Sequence, residues 1–223
     1  MPAKGTHEGA ARWFFAVPIV GLLEGLIVAA VGYLLYAWPL ISSTCMVAAH
    51  ILITGGMHLD GTADYGDVIG SHKRGREALE VLKDPRRGAY GIIALTFILI
   101  ARFSSLYYLA SHPLAVVASY VVGLEGAYLT SALGVPEPYE GMARLIVLEA
   151  RRPSKVGLNV VIASIIIGVI SSLQPKTLVE LVGLIPAAGV AMDSNRRLGF
   201  VNGDALGFAI ELGEVLALTV AAV

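Results

Sequence analysis

Seven stretches of this chain, at about 13–36, 39–56, 89–110, 113–133, 157–173, 178–192 and 205–223, are apolar over lengths suited to lipid rather than water. Hydrocarbon roughly 30 Å thick takes about 20 apolar residues of helix to cross. In lipid every backbone N–H and C=O must bond within its own segment or to a neighbour, which leaves helices for runs of this length. The sequence therefore predicts an all-α fold, a polytopic transmembrane helical bundle of about seven segments forming one integral membrane domain over 1–223. The sixth stretch is short and holds Pro186, so six spans plus a re-entrant segment is the alternative count. Composition agrees: 56% of residues are hydrophobic and 15% charged, against about 45–50% and 25% in ordinary soluble domains.

The first run is too long for the roughly 7–15-residue core of a cleaved signal peptide, and reads as a retained span. The net charge of −1 carries no basic excess of the kind nucleic acid requires. The only cysteine, Cys45, lies in an apolar run and rules out an internal disulfide. Tight connectors at Trp38-Pro39, His112-Pro113 and Gln174-Pro175 alternate with long charged ones at 57–88, 134–156 and 193–204. With the N-terminus placed in the cytoplasm, fourteen of the sixteen Lys and Arg, from Lys4 and Arg12 to Arg196 and Arg197, fall on the cytoplasmic side. That asymmetry is the positive-inside pattern, and it predicts a cell-membrane protein with 57–88 and 193–204 as cytoplasmic active-site loops.

The first of these connectors holds Gly55-Gly56-Met57-His58-Leu59-Asp60-Gly61-Thr62-Ala63-Asp64-Tyr65-Gly66-Asp67. Aspartates at i, i+4 and i+7 lie within about 60° of one another if the segment is helical. Carboxylates that close repel unless a cation intervenes. Mg²⁺, which takes hard oxygen ligands and keeps positions for water and phosphate, suits the set Asp60, Asp64 and Asp67. Glycines at 55, 56, 61 and 66 weaken a plain amphipathic helix and allow close approach of a ligand. His58 is either a base or phosphate donor, or a hydrogen-bonded structural histidine. Further on, Lys83-Asp84-Pro85-Arg86-Arg87-Gly88 precedes the third apolar run, where a helix N-terminus and basic side chains suit phosphate. Cations at a membrane end are also ordinary topology signals.

A second acidic group, Asn202-Gly203-Asp204-Ala205-Leu206-Gly207 with Glu211 and Glu214, opens the last run. Asp204 and Glu211 share a helical face. Charges within a hydrophobic helix cost about 2.5–3.5 kcal/mol each near its centre. Either a metal site shared with the first group or pairing with Arg102 as interhelical glue would offset that cost. Glu24, His50 and Glu125 are further ionisable groups within spans, with no chemical role assigned.

The run from Gly56 to Gly91, with His58-Leu59-Asp60-Gly61, Asp64, Asp67, Lys83-Asp84 and Gly88-Ala89-Tyr90-Gly91, closely resembles the signature of the cobalamin synthase family, also called adenosylcobinamide-GDP ribazoletransferase. Gly203-Asp204-Ala205-Leu206-Gly207 with Glu211 and Glu214 resembles that family's second block. Val68 where glycine is expected and Asn202 where threonine is usual are departures. The resemblance implies a transferase that joins adenosylcobinamide-GDP to α-ribazole or its 5′-phosphate and releases GMP, with a 5′-hydroxyl attacking phosphorus. Asp60, Asp64 and Asp67 would hold Mg²⁺, completed by Asp84, Asp204 or Glu211. Lys83, Arg86 and Gly88 would meet phosphate, and an aspartate or His58 would take the proton. The bilayer is the other implied partner, and a homo-oligomer is left open. A CDP-alcohol phosphotransferase fits less well, because Asp64 follows Asp60-Gly61 too soon. An ion or proton transporter would concentrate its carboxylates at mid-membrane.

Overall fold

The computed structural model describes residues 7–223, so Lys4 lies outside the described residues. The regular elements are helices: α1 His7–Arg12, α2 Val17–Leu34, α3 Pro39–Thr54, α4 Met57–Ser71, α5 Arg76–Leu82, α6 Ala89–Leu109, α7 Pro113–Leu133, α8 Met142–Ala150, α9 Pro153–Leu173, α10 Ile185–Arg197 and α11 Gly203–Ala221. A 3₁₀ turn at Phe14–Ala16 leads into α2, and a longer 3₁₀ stretch, Pro175–Leu184, leads into α10. Prolines occupy the first turn of α3, α7, α9 and α10, where the missing N–H would have had no helical partner.

Among the described residues, five helical runs are long and apolar enough to cross a bilayer: Phe14–Leu34, Ala89–Leu109, Pro113–Leu133, Pro153–Leu173 and Pro175–Arg197. The sixth sequence segment is thus part of a full-length run, with Pro186 starting its α-helical half. The second is not a straight span. Gly55 and Gly56 take φ of 61° and 72°, left-handed values that end a helix, and α3 and α4 meet there at 89°. Met57–Ser71 and Arg76–Leu82, expected within a loop, are therefore helical. The loop expected at 193–204 shrinks likewise, because α10 runs to Arg197 and α11 begins at Gly203. The last segment, α11, carries Asp204, Glu211 and Glu214 and is buried along most of its length.

The bundle is packed around α7 and α11. Gly21 and Gly25 of α2 lie against the α7 backbone at Tyr120, Val121 and Val117, the close approach that small residues allow between membrane helices. Polar groups are turned inward and apolar ones outward. Leu23, Ile93, Phe97, Ile165 and Val169 are exposed, while Glu24, His50, Arg102, Glu211 and Glu214 are buried.

Candidate active site

The bend at Gly55-Gly56 lays α4 across one end of the bundle and brings its aspartates to α6 and α11. Asp60 and Asp64, one turn apart, both pair with the guanidinium of Arg87. Asp60 remains 62% exposed and Asp64 18%, so the first is open to solvent and the second sits beneath it. Asp67 does not join them. Its two oxygens accept the backbone N–H groups of Gly88 (2.7 Å) and Gly91 (2.8 Å), where the unpaired amides at the start of α6 attract a carboxylate. Gly88 is thus the N-terminal cap of α6, held by Asp67.

The second acidic group arrives through a helix crossing. A Cβ on Gly61 would lie 3.0 Å from Cα of Asp204, and one on Gly207 would lie 3.1 Å from the His58 carbonyl oxygen. Glycine on each helix lets α4 and α11 touch at the turn that carries Asp60 and Asp64. Asn202 caps α11, accepting the Ala205 N–H at 3.0 Å and donating to Asp204 at 2.8 Å, a capping role open to threonine as well. Asp204 lies within the fields of Asp60 and Arg87. Asp60 and Asp64 meet on Arg87, and Asp204 is the further acid within their electrostatic reach.

Glu211 is not among them. Seven residues along α11 from Asp204, roughly 10 Å of helix, it accepts from Arg102 Nη2 at 2.6 Å and meets His50 Nε2 at 3.0 Å. Arg102 also donates to Glu214 (2.8 Å) and to the Tyr120 hydroxyl (2.9 Å), and His50 Nδ1 lies 2.7 Å from Glu24. This buried network joins α2, α3, α6, α7 and α11. Glu211 pairs with Arg102, the other reading open to the sequence, and among the described residues His50, Glu211 and Glu214 also bring one possible metal-ligand atom each within 4.8 Å of one another. A neutral imidazole has one N–H, so His50 between two carboxylates needs a proton on each ring nitrogen or on a carboxyl group. His58, open from sequence to a role as base or phosphate donor or as a structural histidine, has its ring in the field of Glu211, Glu24 and His50, and its Nδ1 makes no hydrogen bond. Glu125 accepts from Asn159 at 3.0 Å.

Asp84 stands apart as well, turned to Arg86 with contacts of 2.8 and 3.0 Å. That hydrogen-bonded arginine pulls the Asp84 carboxyl down to about 2. Lys83 and Arg86 are exposed on the same connector. Arg87, read from sequence only as one of this connector's basic side chains, is the residue that ties the connector to the aspartates, a pairing that adjacency to Arg86 could not announce. Lys83 and Arg76 border a cavity of about 820 Å³ completed by Tyr139 and Leu198–Phe200. Tyr65 donates to Asp193 at 2.9 Å, which Arg197 grips at 2.8 Å, bracing α4 against α10.

Fold and site together define a multi-pass, all-helical membrane protein with a cluster of acidic side chains tied by Arg87. The family described as cobalamin-5-phosphate synthase matches residues 1–222. An adenosylcobinamide-GDP ribazoletransferase of Klebsiella pneumoniae is 34% identical, covering 95% of this chain and 87% of the relative. Similarly named proteins of Chlorobium chlorochromatii and Alkaliphilus oremlandii are 32% and 29% identical, over 94% and 90% of this chain and 84% and 81% of their own lengths. No solved structure matches the chain. The chain belongs to the cobalamin-5-phosphate synthase family, and it is a transferase of cobalamin biosynthesis.

Proposed function

We propose that the chain is a Mg²⁺-dependent adenosylcobinamide-GDP ribazoletransferase, acting on α-ribazole or its 5′-phosphate at the cytoplasmic face of the cell membrane. The observation that carries this reading is the convergence of Asp60 and Asp64 on Arg87, with Asp204 delivered to the same turn by the Gly61 crossing. Two carboxylates on one guanidinium, with a third within their electrostatic reach, make a place suited to a cation. Their hard oxygens fit Mg²⁺, with Asp60, Asp64 and Asp204 as its holders. Bound there, Mg²⁺ would neutralise charge on the pyrophosphate oxygens.

The reaction asks little covalent chemistry of the protein. An acceptor hydroxyl oxygen bonds to the cobinamide-linked phosphorus, the bridge to the second phosphorus breaks, GMP leaves with the bridging oxygen, and the hydroxyl proton passes to a site carboxylate. A family described by a 5-phosphate product retains phosphate on that carbon. The nucleophile is then a secondary ribose hydroxyl, which replaces the 5′-hydroxyl expected from sequence. Lys83 and Arg86, exposed on the connector that Arg87 ties to the aspartates, would grip phosphate oxygens. With Asp60 and Asp64 turned to a cation, the Arg87 guanidinium would be free to meet phosphate. Asp67 keeps the connector in position through the Gly88 and Gly91 amides.

The cytoplasmic placement rests on charge. Among the described residues, Lys and Arg crowd the end of the bundle that carries the site, while Lys176 stands at the other. Protein purified in detergent or lipid, given adenosylcobinamide-GDP, α-ribazole and Mg²⁺, should yield cobalamin and GMP. Asp64→Asn should lower turnover by roughly 100-fold, the equivalent of about 3 kcal/mol of lost charge stabilisation. Absence of product with the unaltered protein, or near-normal turnover by Asp64→Asn at every Mg²⁺ concentration, would overturn the reading.

A further inference from the structure

We propose that an apolar groove between α4 and α6, floored by α11, holds the bicyclic base of the acceptor nucleoside. The inference rests on the reaction proposed above and adds to it a binding place for one substrate. The groove encloses about 430 Å³ and is walled by Gly66, Gly70, Tyr90, Ala94, Phe97 and Phe208. Its form follows from the sequence of α4. Gly66 and Gly70, one turn apart, leave that face without side chains, so the Tyr90 ring lies over Gly70 and Ala94 packs on Gly66.

Position ties the groove to the site. Gly66 adjoins Asp67, and Tyr90 adjoins Gly91, whose amide Asp67 holds at 2.8 Å. One end of the groove therefore lies beside the Asp67–Gly91 contact at the α6 N-terminus, within a turn of Asp64 along α4. The other end, at Phe97 and Leu212, lies about two turns deeper along the helices. A ligand matching that gradient has a hydroxyl-bearing head and an apolar, flat body.

Chemistry chooses among the substrates' parts. Guanine and an amide-fringed corrin bring several hydrogen-bonding groups, and this lining, whose polar side chains are His72 and Tyr90, would leave most of them unpaired, at a cost of the order of 1–3 kcal/mol each. A benzimidazole has few such groups and stacks on aromatic rings. The volume, near the lower end of the roughly 300–1,000 Å³ of small-molecule sites, also suits a nucleoside better than a corrin. The charged cavity beside Lys83 and Arg76 has the opposite character.

Equilibrium binding of α-ribazole to the purified full chain tests this without requiring turnover, so its outcome is separate from that of the transfer assay. Phe97 and Ile93 are 66% and 61% exposed, and changing them leaves the packed core alone. Phe97→Ala should weaken α-ribazole binding by roughly 10-fold through lost stacking, and Ile93→Trp, which crowds the groove, by a similar factor. Binding of a riboside with a monocyclic imidazole base should change less, and that of adenosylcobinamide-GDP by no more than about two-fold, if neither uses the groove. The proposal is overturned if both variants bind α-ribazole within about two-fold of the unaltered protein. It is equally overturned if the effect of the variants follows the acyl-chain length of the surrounding lipid, for the groove then holds a lipid tail.

Discussion

Replacing Arg102 by leucine removes the one guanidinium that faces Glu211 and Glu214, at 2.6 and 2.8 Å, inside a fully buried network. Glu211 keeps His50 at 3.0 Å. Glu214 keeps only a His50 contact of 3.9 Å, and its Oε1 has no hydrogen-bond partner even in the intact protein. Removing one partner of a buried ion pair costs about 3–5 kcal/mol, because the other is left charged without compensation. At about 2–4 °C per kcal/mol for a chain of this size, Arg102→Leu should lower Tm by roughly 6–20 °C. The lone Cys45, half-buried in α3, allows unfolding in detergent to be followed with a thiol-reactive dye. Adding Glu214→Gln tests the cause. The change keeps the side-chain shape that packs on Gly123 while removing the stranded charge, and should recover at least about 1.5 kcal/mol, several degrees, as coupling between contacting residues. A single variant within about 3 °C of the unaltered protein, or a double variant no more stable than the single, would refute the reasoning.

Two further predictions concern the site. Gly61→Val places a branched side chain where Cα of Asp204 lies 3.0 Å from an added Cβ; it should separate α4 from α11, cut turnover at least roughly 10-fold and raise the Mg²⁺ requirement, and unchanged Mg²⁺ dependence would remove Asp204 from the site. Asp67→Asn has one acceptor for two amides and should slow turnover through the displaced 83–88 connector with the Mg²⁺ requirement unaltered, whereas Asp60→Asn should raise that requirement; Mg²⁺ titrations of both variants distinguish the two roles.

How far the sequence carried can be judged residue by residue. The helical stripe of Asp60, Asp64 and Asp67 follows from spacing, and α4 forms as that spacing needs. The stripe nevertheless divides, because Arg87 meets its upper two members and the α6 amides take the third. Glu211 and Asp204 share a face of α11, yet roughly 10 Å of rise separates them, enough to give them different neighbours. Gly55-Gly56 was legible as a break in helix propensity, but the 89° bend comes from the paired left-handed φ values. Arg87 could not be told from Arg86 until the connector was folded.

The chain's apolar runs, taken alone, determine a helical membrane bundle, since hydrocarbon leaves the backbone few other means of satisfying its polar groups; its acidic and basic motifs determine the family it resembles. Which carboxylates meet was decided only by tertiary structure. Periodicity places a side chain on a face of its own helix, whereas its partner depends on where helices bend and cross, here at Gly55-Gly56 and at the contact of Gly61 with Asp204.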